Sequence, residues 1–341
     1  MTLNIYIFIV VVNFLFFLNS FCFLYDIFIN LWWLTYIMVH IVTKKIKENE
    51  YLYLVTNIRK KEKVIQKTVK YIGKKRPIPK EELECMKFSY NNHDWVLNSF
   101  SDELSYQDHH KMKEVSDLQK EYLKGLDKVS REKEKEKFLS MFITNSNAIE
   151  GSTLTNKDTF NYLFNDITPK GYKKKELFMA SNMLKAWNYV EMNHKKFPTH
   201  EDLFKLHEFV NLNIEEETLG KYKKVQNYVD SEYTTSFLFV EDRMKTLLKW
   251  IKKAFKEIDY FEVAFQSHTQ FEIIHPFVDG NGRVGRLLIN WLLMNKGLMP
   301  IAIQNKKRSD YISALKNAIK GKIEAICRFC FKEYVEQYVF V

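Results

Sequence analysis

Residues 275–286 read His-Pro-Phe-Val-Asp-Gly-Asn-Gly-Arg-Val-Gly-Arg, and their two flanks restrict how the rest of the chain can fold. Before them, Phe261, Ala264, Phe265, His268 and Phe271 recur at helical spacing until Pro276, whose missing N–H and fixed φ stop a helix. After them, Leu287, Leu288, Ile289, Trp291, Leu292, Leu293 and Met294 predict a helix apolar on most sides and therefore deeply buried. The loop is thus held between two core helices, which sets a helical architecture for the chain around it.

The chemistry of the loop follows from its residue types. Gly280, Asn281 and Gly282 allow backbone torsions that other residues avoid, and their small size lets several N–H groups approach one anion at a helix start. Arg283 and Arg286 sit three apart on the first turn of the following helix, where they can grip phosphate oxygens. Asp279 suits a bridging Mg²⁺, which takes one or two carboxylates and keeps waters. His275 closes the preceding helix, where a near-neutral imidazole can take a proton from an attacking hydroxyl. Taken singly, each has a plainer reading: a capping histidine, a turn aspartate, a glycine-rich connection between helices. Their joint spacing favours a phosphate-handling site.

The segment resembles the signature of the Fic (Fido) family, His-x-Phe-x-Asp/Glu-Gly-Asn-Gly-Arg-x-x-Arg, and every fixed position is matched. Most Fic proteins move AMP from ATP to a Ser, Thr or Tyr hydroxyl of a target protein. The resemblance implies His275 as general base, Asp279 as Mg²⁺ ligand, the turn from Gly280 through Asn281 to Gly282 as the phosphate hole, and Arg283 and Arg286 as phosphate clamps. It implies an all-α fold with a small β-hairpin flap over roughly residues 138–336, the catalytic domain spanning 199–336.

Three further stretches resemble the same family. Ser146-Asn-Ala-Ile-Glu150-Gly is similar to the family's inhibitory motif, in which a carboxylate pairs with the second arginine of the loop and removes the charge that ATP needs. The implied pair is Glu150 with Arg286; the plain alternative is a helix C-cap. After Gly220 a short alternating stretch reads as a hairpin, similar to the family's flap, and places Asn227, Tyr228 and Val229 over substrate and nucleotide. It departs from the common form at Lys223, where Arg is usual, and at Asn227, an aliphatic position. Arg308, Tyr311, Leu315 and Ala318 are similar to the closing helices, with Tyr311 near adenine or simply in the core.

The remainder divides into residues 1–43, 44–80 and 81–198. Residues 1–43 hold Asp26 and His40 as their only ionisable side chains apart from tyrosines and Cys22, and the rest is membrane-like. Residues 2–25 are long enough to span, 27–43 marginally so, and Lys44, Lys45 and Lys47 follow as an inside anchor. One expectation is therefore a cytoplasmic catalytic domain anchored through this segment; the other is upstream translation, with Met38 as the true start. Residues 51–58 and 64–72 form a basic β-hairpin, a solvated edge or a surface for nucleic acid or anionic lipid. Pro77 and Pro79 mark a linker. Residues 81–198 are helical and carry the inhibitory motif; Leu118, Tyr122, Leu126 and Val129 predict one apolar stripe. Thr155 and Thr199 begin capping-box-like helix starts, and His207 reads as a satisfied core histidine. Four cysteines are too few for a disulfide framework, and Cys327-x-x-Cys330 lacks a second pair.

The expected function is a Mg²⁺-dependent protein adenylyltransferase using ATP on a hydroxyl-bearing protein target, restrained by Glu150. AMP removal or another phosphate-group transfer uses the same residues. A membrane- or nucleic-acid-associated nucleotide-binding protein is the reading from another class. It leaves His275 and both arginines without a joint purpose, so nucleic acid is not an expected partner. Homodimerisation stays open.

Overall fold

The computed structural model describes residues 39–338 apart from 61–62, 92–93, 98–99 and 230–231. It divides into two units, Met1–Pro77 and Ile78–Val341.

In the first unit, β1 (Val39–Ile46), β2 (Asn49–Lys60) and β3 (Lys63–Lys74) form one antiparallel sheet in the order β1-β2-β3. The expected hairpin is thus its second half. β1 was hidden because its apolar start, Val39 to Val42, continues the membrane-like composition before it. Two residues, Lys47 and Glu48, join β1 to β2, with Ile46 paired to Asn49 and Lys47 at φ 54. This corrects the expected anchor. Among the described residues no helix is long and apolar enough to cross a membrane. The end of the second candidate span is strand, and residues 1–38, on which the rest of that expectation falls, lie outside the described part.

The second unit is helical: α1 (Lys80–Tyr90), α2 (Tyr106–Gly125), α3 (Lys128–Ile149), α4 (Asn156–Phe164), α5 (Lys174–Asn193), α6 (His200–Asn211), α7 (Val240–Ala254), α8 (Tyr260–Ile274), α9 (Asn281–Asn295), α10 (Arg308–Ile319) and α11 (Glu324–Tyr338). A two-stranded flap, β4 (Tyr228–Val229) with β5 (Glu232–Tyr233), lies between α6 and α7. α8 and α9 are the core pair, as their composition predicts. Phe261, Ala264, Phe265 and Phe271 on α8 and Leu287, Leu288, Trp291 and Leu292 on α9 are all at most 2% exposed. Each such large side chain contributes on the order of 2 kcal/mol through burial.

The predicted stripe on α2 does not hold. Leu118 and Tyr122 are exposed, and the helix packs instead through Met112, Val115 and Ser116. The chain breaks at Leu126, Asp127 caps α3 by accepting from Ser130 N at 2.9 Å, and Val129 falls on this new helix, exposed. Arg131 holds the break closed, its guanidinium donating to the Leu123 and Leu126 carbonyls at the end of α2. A periodic pattern read straight through a cap misassigned the face. α6 begins with the capping box expected at Thr199 and Asp202. Cys85, Cys327 and Cys330 are free, buried thiols, and burial raises the last two well above the usual thiol range.

Candidate active site

α8 ends at Ile274, and His275 takes a left-handed conformation, φ 47 and ψ 61, as its C-cap. A non-glycine residue here is strained, and such strain persists only where surrounding contacts impose it. The contacts are visible. Phe277 N donates to Asn281 Oδ1 at 2.9 Å, and Asn281 Nδ2 donates back to Phe277 O at 2.8 Å. The Asn281 side chain therefore staples the loop shut, leaving its backbone to face an anion.

Gly280, at φ 78, is the N-cap of α9, and no side chain caps that helix. The first-turn N–H groups of α9 are left for an anion, in the field of the helix dipole. The glycines are required by space as well as torsion. A Cβ on Gly280 would meet Asn211 Nδ2 at 2.8 Å, and one on Gly282 would meet Glu150 Oε1 at 2.3 Å. Asp279 accepts from Gly280 N at 2.6 Å through Oδ1, and its half-exposed carboxylate has Arg283 as its near cation at 3.7 Å. An exposed carboxylate beside a bare helix start, with an oxygen to spare, fits a Mg²⁺ shared with phosphates.

The two arginines leave α9 in different directions. Arg283 donates to the Val210 carbonyl at 3.2 Å and to Asn211 Oδ1 at 3.1 Å, bracing the end of α6. Arg286 reaches α3: Nε donates to Ser146 Oγ at 2.9 Å, and Nη2 donates to Ser146 O at 2.8 Å and to Glu150 Oε1 at 2.7 Å. Burial alone would lower its pKa; Glu150 beside it raises it above the usual value. The Glu150 carboxylate thus occupies the guanidinium that lies beside the glycine turn.

Around His275 the structure adds Glu272, to which no motif pointed. Burial, with the Lys223 ammonium next, pushes the His275 imidazole down to about 3, which keeps it neutral and able to accept a proton. Glu272, one turn back on α8, places Oε2 3.8 Å from His275 Nδ1 and Oε1 3.8 Å from His268 Nδ1. Burial pushes this carboxyl up to about 8. A glutamate three residues before the histidine was the available signal. Lys223 is buried, donates to Asn227 Oδ1 at 2.6 Å and Thr234 Oγ1 at 2.9 Å, and is pushed down to about 7 by burial. His207 is the satisfied core histidine expected: Nδ1 accepts from Gly220 N at 3.1 Å, so Nε2–H donates to the Asp279 carbonyl at 3.1 Å. It stacks on Phe277 with ring centroids 4.0 Å apart.

Asn227 and Tyr311 both make internal contacts. Asn227 does not face outward; its amide donates to the Phe277 carbonyl at 2.8 Å and fastens the flap to the catalytic loop. Of its neighbours, Tyr228 is exposed, and the backbone of Val229 pairs with Glu232. Tyr311 is 1% exposed, with its hydroxyl 2.5 Å from His268 Nε2 and its ring stacked on that imidazole. It props α8 from behind.

Residues 197–293 match the model of the Fic/DOC family. A protein adenylyltransferase Fic of Nematostella vectensis is 30% identical over 204 residues, 58% of this chain and 48% of that protein. A probable protein adenylyltransferase of Aquifex aeolicus is 42% identical over 87 residues, 26% of each. The chain therefore spans less than half the length of these curated relatives. Among solved structures, a Fic domain-containing signalling protein from Bacteroides thetaiotaomicron has a TM-score of 0.60 at 23% identity, covering 67% of this chain and 95% of that one. A fragment of Fic-1 from C. elegans gives 0.59 at 22% identity, covering 68% and 72%. The structural likenesses carry the fold, and the matched loop lies inside the stretch, residues 197–293, that fits the Fic/DOC family model.

Proposed function

We propose that the chain is a Mg²⁺-dependent protein adenylyltransferase that moves AMP from ATP to a Ser, Thr or Tyr hydroxyl of a target protein, and that Glu150 holds it in a resting state. The observation that carries this reading is a part-buried, neutral His275 held beside an uncapped glycine turn. One atom can accept a hydroxyl proton while N–H groups receive phosphate.

In this reading His275 deprotonates the target hydroxyl, whose oxygen attacks the α-phosphate of ATP while pyrophosphate leaves. The N–H groups after Gly280 and the guanidinium of Arg286 hold the phosphate oxygens, and Arg283 keeps the turn in register with α6. Mg²⁺ bound at Asp279 supplies neutralisation of the leaving pyrophosphate's charge. The exposed edge of β4 offers the target backbone a strand to pair with, which needs little sequence specificity. Glu150 occupies Arg286 and crowds Gly282, so ATP and this carboxylate exclude one another.

The test uses ATP labelled at the α- or the γ-phosphate, Mg²⁺ and cell-extract proteins, with the chain unaltered, as Glu150→Gly, and as Glu150→Gly with His275→Ala. Covalent α-label that rises with Glu150→Gly and vanishes with His275→Ala is the expected result. Transfer of γ-label alone makes the chemistry phosphorylation. Transfer of neither label moves AMP removal ahead, which pre-labelled target protein then reads directly.

A further inference from the structure

We infer that the β1-β2-β3 sheet is a docking platform for single-stranded nucleic acid, carried by the face that presents Tyr51, Tyr53 and Tyr71 between Lys44 and Lys74. This does not depend on the transferase reading. It rests on how charge and aromatic rings are placed in the first unit.

Residues 39–77 contain twelve Lys and Arg against three Glu, a net of +9 out of the chain's +10. Lysines on edge strands are commonly a guard against aggregation, and that account covers much of the charge. It does not account for the rings. The register puts Lys44, Tyr51 and Lys74 in one cross-strand row, and Val42, Tyr53 and Tyr71 in the next. Paired residues in a sheet share a face, so three tyrosines and two lysines lie together on it. Tyr71 has its ring centroid 5.3 Å from that of Tyr53 and 6.1 Å from that of Tyr51, and is 53% exposed. Lys44 Nζ stands 4.8 Å from the centre of the Tyr53 ring.

A guard against aggregation does not leave a large ring that open. An exposed Tyr71 ring packed beside the part-buried rings of Tyr51 and Tyr53, with cations next to them, matches a polymer that alternates flat bases with phosphates. Each base offers a face to stack whatever its identity, and each phosphate a charge for a lysine. A duplex hides its base faces, which is why the single strand is the favoured form. Polar groups at the rim, His40 and Thr68 paired across Val55, stand where sugar hydroxyls or phosphates would pass.

The experiment is fluorescence anisotropy of the full chain with labelled twelve-nucleotide single strands of RNA and of DNA at two salt concentrations, beside vesicles of phosphatidylserine and phosphatidylcholine. Binding of a single strand that weakens with salt is expected. Tyr53→Ala with Tyr71→Ala should cost about tenfold or more, since each stacked base contributes ~1–3 kcal/mol. Tyr71→Phe, which keeps the ring, should bind as the parent does. Lys44→Ala with Lys74→Ala should reduce the salt slope by about 0.7 per lost phosphate contact, while Lys252→Ala on α7 should not change it. Where the double tyrosine variant fails to fold, as read by circular dichroism, Tyr71→Ser alone supplies the ring test at its exposed position. The proposal is overturned by no binding to either single strand at low salt, by binding unchanged on loss of the rings, or by binding to the vesicles and not to the oligonucleotides.

Discussion

Arg286 and Glu150, 136 residues apart in the chain, meet at 2.7 Å between guanidinium and carboxylate. The pair closes a clamp in which both the hydroxyl and the carbonyl of Ser146 accept from the same arginine. α3 therefore delivers three acceptors to the cation that the proposed reaction assigns to phosphate. The Glu150 side chain is 35% exposed against 3% for Arg286, so the carboxylate can swing toward water while the guanidinium stays.

Freeing that cation should raise activity. Glu150→Gly is expected to increase AMP transfer about tenfold or more, the equivalent of ~1.4 kcal/mol of competition removed from Arg286. Removal of the arginine instead, as Arg286→Ala, should abolish transfer and strand the Ser146 acceptors. Initial rates of α-label incorporation distinguish the two; equal rates for the parent and Glu150→Gly would sink the competition.

The crowding at Gly282 predicts a coupling. A Cβ there would lie 2.3 Å from Glu150 Oε1 and 3.0 Å from Arg286 Nη1. Gly282→Ala should therefore lower Tm in the parent and do so less in a Glu150→Gly background. The two losses should differ by at least ~0.5 kcal/mol, the size expected for residues in contact. Additive losses in a double-mutant cycle would show that the carboxylate does not sit on the turn.

Asp279→Ala tests the metal. Its near neighbours are Gly280 N and Arg283, so the change removes a ligand without opening a cavity. The Mg²⁺ concentration needed for half-maximal transfer should rise by no less than the ~10–100-fold that loss of even an outer metal partner costs. A titration with the Glu150→Gly enzyme reads this; an unchanged requirement would place the ion elsewhere.

Three histidines set an acid limit on folding. Burial pushes His207 down to about 4, and His268 and His275 down to about 3, from an ordinary value of 6.5. Between those values the unfolded chain binds protons at these three rings that the folded chain does not, so the three together lower stability as pH falls below 6.5, against the opposite contribution of the single Glu272 carboxyl between about 8 and its ordinary value. Each histidine adds up to about 1.4 kcal/mol of loss per pH unit across its window. Tm measured from pH 7 to 5 should drop, and the drop should be shallower in His268→Gln. A profile unchanged by that substitution would mean that His268 does not titrate in the way its burial requires.

Local chemistry was legible in the sequence because it is local. The loop from His275 to Arg286 needs only neighbouring residues to form its turn and helix start, and Pro276, Gly280 and Asn281 impose that turn by torsion and side-chain staple alone. The apolar runs on either side dictated two core helices for the same reason. The resemblance then joined Glu150 to Arg286 across the chain, and the structure brings them together.

The tertiary structure decided what depends on partners distant in sequence. Which face of α2 is buried follows from the helices packed against it and from the break at Asp127, so Leu118 and Tyr122 end in solvent. Val39 to Ile46 became a strand because β2 offered it eight paired positions; composition alone had read its apolar start as membrane. Glu272 acquired its place beside two histidines only once α8 was surrounded, since burial is what raises its pKa. Asn211 supports Asp279 and Arg283 only because α6 ends beneath the loop. Sequence determines such chemistry where torsion and periodicity suffice; packing decides it where the cost of an unpaired buried group selects the neighbour.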